Sequence, residues 1–246
     1  MEPQSGIRIK LLFDYLLIMR IGILQPGYLP WLGFFEQMHK SDVFVIYDDV
    51  QYDKNGWRNR NRIKTANGIQ WLTVPVLRKF EQHPMIKDVL IDNTVNWRKK
   101  HLLSIKQSYA KAAFFKKYES MLDDAYSRSW DRLVDIDMFF ILKFAESLGI
   151  DTKKIIRSSS LNIAGDRIER LVKICLHFGA DIFFEGASGR NYIDPEVFLT
   201  HGINVEFQNY LHPTYKQLYG DFVPYLSVVD LLFNCGDNSL SILASN

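Results

Sequence analysis

Two adjacent carboxylates soon followed by a run of cations can do chemistry, and the segment DDVQYDKNGWRNRNRIK supplies that combination. Asp48 and Asp49 close an apolar run, and Gln51, Lys54, Asn59, Arg60, Arg62 and Lys64 follow. A carboxylate there can act as a base, hold a cation through oxygen, or orient a ribose or an amine. An arginine fork pairs bidentately with phosphate. Together these residue types suit a phosphorylated sugar or a nucleotide; a solvated charged turn is the competing reading.

Three further segments carry chemistry. QPGYLPWLGFF offers an amide and two aromatic surfaces, Gln25, Tyr28 and Trp31, on a backbone stiffened by Pro26 and Pro30 and allowed close approach at Gly33. Stacking on a base or sugar ring is the functional reading, and sealing the end of a sheet is the structural one. HPTYKQLYGDF crowds His212, Tyr215, Lys216 and Gln217 into one loop. His212 is the first choice for acid/base work, with Asp49 and Asp48 as the other expected catalytic groups. His101, beside Lys99 and Lys100 at a helix start, is a secondary candidate for a phosphate contact or simply a wet helix end. FFEGASGRNYID delivers Glu185 and a turn containing Ser188 whose amides could cradle an anion.

Several chemistries lack their signatures. The glycines match neither a P-loop nor a GxGxxG turn, and no GxSxG, HExxH or CxxC segment occurs. No metal-ligating cluster is expected. Cys175 and Cys235 lie in apolar runs and read as reduced, structural thiols of a cytoplasmic protein.

The elements that must position these groups follow from periodicity. RIGIL reads as a buried strand, LGFFEQMHK as a short helix and VFVIY as a second strand, a β-loop-α-β unit. Parallel strands joined in this way bind ligands at their C-terminal ends, which places residues 25–31 and 48–52 on one rim. RNRNRIK reads as a loop, followed by a tight turn at Asn67-Gly68 and a strand over IQWLTVPVL. Helical spacing dominates from about Trp97 to Leu148, with Gly149 as a stop. The last third returns to α/β order, with a helix over DRIERLVKICLHFGA, strands at DIFFEG and INVEFQNY, and a helix over SVVDLLFNCG.

Composition bounds the rest. With 47% hydrophobic residues over 246 positions, the chain can bury a sizeable core. A net charge of +2 gives no extended phosphate track, so nucleic acid is not an expected partner. The apolar run LLFDYLLIM is too short for a membrane span and is interrupted by Asp14, so no membrane insertion is expected. The strand directly after Met19 suggests translation starting there. Residues 1–18 would then be an upstream extension and residues 19–246 one domain.

Taken in order, QPGYLPWLGFF, SDVFVIYDDVQYDKNGWRNRNRIK, WLTVPV, HPTYKQLYGDF and LSVVDLLFNCG resemble the WbqC-like protein family across nearly the whole chain from Met19. The resemblance carries over Gln25, Pro26, Tyr28, Pro30, Trp31, Gly33, Asp48, Asp49, Gln51, Asn59, Arg60, His212, Tyr215, Gln217 and Asp230. It implies a bacterial protein of surface-polysaccharide synthesis that moves an aminoacyl or acyl group onto an amino sugar. A fainter resemblance is to nucleotide-binding enzymes of the pantothenate-synthetase type, whose paired histidines have no counterpart at Pro30 to Gly33.

The expected fold is therefore α/β, a mostly parallel, Rossmann-like sheet with flanking helices and a helical insertion, related to nucleotidyltransferase-type nucleotide-binding folds. The expected ligand is a phosphorylated or nucleotide-linked sugar, bound by Gln25, Tyr28, Trp31, Gly33, Gln51, Asn59, Arg60, Arg62, Lys64, Glu185, Ser188, Tyr215 and Gln217. Cofactor and oligomeric state are left open. Adenylate-forming or nucleotidyl-transfer chemistry and a non-catalytic sugar- or nucleotide-binding accessory protein are the alternatives.

Overall fold

A computed structural model describes residues 18–54, 56–77 and 84–245. The reading of residues 1–18 as an extension falls almost entirely outside the described residues. Strand β1 (Arg20–Leu24), helix α1 (Leu32–His39) and strand β2 (Val43–Ile46) form the expected first unit. Strand β3 (Arg60–Thr65) and strand β4 (Gly68–Thr73) then form an antiparallel hairpin. Three helices follow: α2 (Trp97–Tyr109), α3 (Phe115–Ser127) and α4 (Leu133–Ser147). The remainder is β5 (Ile155–Arg157), α5 (Arg167–His177), β6 (Ile182–Glu185), α6 (Pro195–Leu199), β7 (Asn204–Phe207), α7 (Val228–Cys235) and α8 (Ser239–Leu243).

The sheet order is β5-β2-β1-β6-β7, with every pairing parallel. Both faces are covered, which is why its strands read as near-continuous apolar runs. Ile21, Ile23 and Val45 enter the core shared with α5 and α6, where Phe183 stacks on Phe198. Phe44 and Ile46 enter the larger core on the opposite face, shared with α1, the α2–α4 helices and α7. Gly22 is hemmed in by the segment that enters β2: a Cβ there would come within 2.6 Å of Ser41 Oγ and 2.9 Å of the Phe44 ring. Among the described residues, no helix is long and apolar enough to cross a membrane.

Two elements differ from the sequence reading. RNRNRIK is not a loop but contains most of β3, whose Asn61 and Ile63 point inward and are buried. β4 stops at Thr73, short of the expected Leu77. The edge strand β5, three residues long, has no periodic signal and was not anticipated.

Because β1 has β2 on one side and β6 on the other, the connections leaving its C-terminal end and that of β6 go to opposite faces of the sheet. α1 packs into one core and α5 with α6 into the other. Open parallel sheets bind ligands in the crevice at such a reversal.

Candidate functional site

The loop after β1 is held in place by residues distant in sequence. Tyr28 N donates to the Arg58 carbonyl at 3.0 Å and Asn61 Nδ2 to the Leu29 carbonyl at 2.7 Å. Leu29 adopts a left-handed conformation, φ 47°, that this backbone-directed amide helps to hold. Val228 N donates to the Pro30 carbonyl at 2.9 Å and Ser227 N to the Arg62 carbonyl at 3.0 Å. Gly27 lies against the Trp57 carbonyl, 2.9 Å from where a Cβ would stand. Three segments, 25–31, 57–62 and 224–228, thus meet above the end of β1.

Between them lies a cavity of about 460 Å³. Trp31, Phe34, Trp57 and Tyr225 give it aromatic walls, and Gln25, Arg58, Asn61 and Arg62 supply the polar groups. The Trp31 indole folds over Gly33, whose missing Cβ leaves the space the ring occupies. Trp31 also meets Tyr210 edge-on at 5.5 Å and Tyr225 at 5.8 Å between ring centroids. Arg62 is braced by Nε donating to the Tyr225 carbonyl at 3.0 Å and lies over the Trp57 ring. Arg58 Nη1 donates to the carbonyls of Gln25 and Pro26 at 3.0 and 3.1 Å. Burial pushes the Arg58 guanidinium below its usual value, an effect that the charge of Asp137 opposes. A largely apolar pocket with a few fixed polar groups is the usual form of a small-molecule site.

The WbqC-like protein family profile matches residues 25–242, a span that begins at Gln25 of this cavity and runs through all three converging segments. The chain belongs to the WbqC-like protein family. A relative from Mycobacterium tuberculosis (strain ATCC 25618 / H37Rv), described as uncharacterized protein Rv1507c, is 38% identical over 219 residues, covering 88% of this chain and 94% of the relative. No solved structure matches significantly.

In this WbqC-like chain the other expected site residues are dispersed. Asp48 is fully buried and paired with Arg157 at 2.6 Å, and it also accepts from Ser159 N at 3.0 Å and Ser159 Oγ at 2.9 Å. Asp49 pairs with Arg170 and accepts from the Ser158 hydroxyl. The two carboxylates therefore tie the end of β2 to β5 and α5, and neither lines the cavity. His212 lies behind the aromatic wall, its ring 5.3 Å from Tyr225 and 6.0 Å from Tyr210. Its Nδ1–H donates to the Pro213 carbonyl, Nε2 is buried with no partner among the described residues, and burial lowers its pKa, so the imidazole is neutral.

Tyr28 is fully buried and offers no ring face to a ligand. Its hydroxyl hydrogen-bonds to His101 Nδ1 at 2.9 Å and to the Tyr126 hydroxyl. His101 is not a wet helix end: it is 7% exposed, and burial drives its pKa down to about 4. Beside this cluster Asp137 is 0% exposed, among the described residues neither of its carboxyl oxygens has a hydrogen-bond partner, and burial raises its pKa well above the carboxylate range.

Tyr215 and Tyr109 donate to the two oxygens of buried Asp230 at 2.9 and 2.8 Å. Gln217 brackets Val223 through its amide, Lys64 Nζ donates to Gln217 Oε1, and Asn59 Nδ2 donates to the Val74 carbonyl. These side chains are scaffold for the cavity walls. Gln51 is exposed, in an isolated bridge with Met85, and Ser188 is exposed in a short turn. Arg60 stacks on Trp71 on the outer face of the hairpin.

Glu185 differs from the other acids. It sits at the C-terminal end of β6, next to β1, 4% exposed, and accepts from the Tyr192 hydroxyl at 3.0 Å. Burial raises its pKa to about 7. Arg167 lies over the Tyr192 ring at 4.0 Å, and Glu185, like Asp48 and Asp49, is not among the residues that line the cavity. A carboxyl poised near neutrality at a parallel strand end is a candidate acid or base. Among the described residues, no group of three or more His, Cys, Asp or Glu is arranged to hold a metal ion.

Sequence reasoning overlooked Trp57, Arg58, Asn61 and Tyr225. Strand alternation could have found Asn61, since assigning RNRNRIK to β3 sends Asn61 and Ile63 inward.

Proposed function

We propose that this protein is a transferase that acts on a phosphorylated or nucleotide-linked sugar, moving an acyl or aminoacyl group onto an amino sugar during synthesis of bacterial surface polysaccharide. The observation that carries the reading is the cavity itself: indole and phenol rings for stacking, with guanidinium groups of Arg58 and Arg62 beside them. Rings of this kind hold a base or pyranose, and guanidinium groups counter phosphate charge.

In the transfer the amine nitrogen attacks the acyl carbon. The N–C bond forms, the bond from that carbon to its carrier breaks, and the amine proton passes to a base. Glu185 is the proposed base: it stands at the end of β6 beside β1, next to rather than in the cavity lining, and its pKa of about 7 leaves an appreciable carboxylate fraction at neutral pH. The family resemblance supports the polysaccharide setting.

The test is binding and turnover. UDP-N-acetylglucosamine added to the purified protein is expected to raise its melting temperature, since a ligand that binds only the native state stabilises it. It is also expected to protect Trp31 and Trp57 fluorescence from quenchers. No response from a panel of nucleotide sugars and sugar phosphates would remove this reading.

A second reading, a sugar-binding accessory protein, draws on the engagement of Asp48, Asp49 and His212 in contacts outside the cavity. Under it, Glu185→Gln would keep polysaccharide modification intact while Arg62→Ala would abolish it.

A further inference from the structure

The hairpin carries a second surface that the cavity does not absorb. β3 and β4 pair with Arg62 opposite Trp71 and Arg60 opposite Thr73, so Arg60, Arg62 and Trp71 share one face of the hairpin. Trp57 lies against Trp71 on this face, with ring centroids 5.1 Å apart and planes tilted by 39°. The Arg60 guanidinium sits 5.0 Å above the Trp71 ring and that of Arg62 5.9 Å above Trp57. Trp57, Trp71 and Ile69 are 46%, 45% and 46% exposed.

Single exposed apolar residues need no explanation, but neighbouring ones beside a cavity mouth mark an interaction surface. Here the continuity is built in, because Trp57 and Arg62 belong both to this face and to the cavity lining. A ligand that fills the cavity and extends outward passes directly onto Trp57 and Trp71.

We propose that this face is a second sugar subsite, so that the substrate is an anionic oligosaccharide with one ring in the cavity and the next stacked on the paired indoles. The inference rests on the cavity being a sugar site. Indole faces stack on the apolar C–H faces of pyranose rings, whereas guanidinium edges pair with carboxylate or phosphate in plane. Two arginines lying along the indoles bring both kinds of contact to one ligand. An extended nucleic-acid strand would need a longer cationic track than a chain of net charge +2 offers here.

The full chain is titrated with tetragalacturonate, cellotetraose, UDP-N-acetylglucosamine and an eight-residue oligothymidylate, following tryptophan emission and calorimetry. Tetragalacturonate is expected to bind and to shift emission, with cellotetraose at least fivefold weaker. Trp71→Ala is expected to weaken tetragalacturonate at least tenfold while leaving UDP-N-acetylglucosamine within twofold, because Trp71 does not line the cavity. Arg60→Glu, which reverses the charge beside the Trp71 ring, should weaken it comparably, and melting curves check that both variants are folded.

Absence of tetragalacturonate binding overturns the proposal, as does binding that neither variant alters. Equal affinity for cellotetraose overturns its anionic part. Tighter binding of the oligothymidylate would assign the face to nucleic acid, and a dimer in sedimentation that Trp71→Ala dissolves would assign it to a second copy of the chain. Tetragalacturonate binding that depends on Trp71, with UDP-N-acetylglucosamine silent, supports the subsite and removes the nucleotide-linked reading of the cavity. The reverse pattern removes the subsite and leaves the cavity reading standing.

Discussion

Arg58 donates through Nη1 to the carbonyl of Gln25 at 3.0 Å, which fixes the approach to β3 against the end of β1. The same nitrogen reaches the Pro26 carbonyl, so one half-buried cation of the cavity lining holds the loop that enters it. Hydrogen bonds from a charged donor contribute about 1.5–3 kcal/mol each, and removing the donor leaves acceptors unpaired.

Arg58→Met keeps the length of the side chain and removes its donors. It is expected to lower unfolding free energy by about 3 kcal/mol and to disorder the loop over residues 25–31. Urea denaturation checks this, and a loss under about 1 kcal/mol would mean that backbone pairing alone holds the loop.

Glu185 has a pKa raised by burial from 4.5 to about 7. A group that holds its proton more tightly when folded stabilises the native state fully below its unfolded pKa, and that contribution disappears as pH rises through 7. Relative to Glu185→Gln, the wild type should therefore lose up to about 3 kcal/mol between pH 4.5 and 7. His101 works in the opposite sense: lowered to about 4, it destabilises the fold as pH falls below 6.5. The two slopes offset each other between pH 4.5 and 6.5, so denaturation midpoints must be compared variant against wild type. A difference that does not change with pH would place the Glu185 pKa back in the ordinary range.

Gly33→Ala pushes a methyl group into the space of the Trp31 indole. The ring must swing into the cavity, with an overpacking cost of about 1–3 kcal/mol. Ligand affinity should fall at least tenfold, and the Trp31 contribution to near-UV circular dichroism should change. Unchanged affinity would show that the Trp31 wall is not part of the binding surface.

His212→Phe replaces a neutral ring whose Nε2 has no partner among the described residues with an apolar ring of similar size. Stability is expected to stay within about 1 kcal/mol of wild type, because an unsatisfied buried nitrogen is removed. Polysaccharide modification should persist. A loss exceeding a hundredfold with ligand binding intact would return His212 to an acid/base role.

Much of the scaffold could be read from local pattern. The β1–α1–β2 unit, the three central helices and the alternation of the last third all follow from apolar spacing, because each buries a face in a core directly under it. The loop at 25–31 and the basic stretch at 57–62 were also legible as places of chemistry. What local pattern could not supply was pairing at a distance. Asp48 and Asp49 look like ready catalytic acids until Arg157 and Arg170, more than a hundred positions away, are brought to them by β5 and by α5. Glu185 carried the weaker sequence signal, yet its burial depends on Tyr192 and Gly189 closing over it. Charge-rich RNRNRIK concealed a strand because its outward residues are arginines rather than neutral polar groups.

The contact between Arg62 and Tyr225 spans 163 positions of the chain. A nascent chain can lay down β1, α1 and the hairpin early, but the wall formed by Tyr225 and the segment leading into α7 arrives only after the helices and the rest of the sheet have been synthesised. Until then Trp31, Trp57 and the arginines stand uncovered on an unfinished rim. Binding competence therefore emerges only once the segment carrying Tyr225 has been made, and fragments ending before it would leave the indoles of Trp31 and Trp57 without that wall.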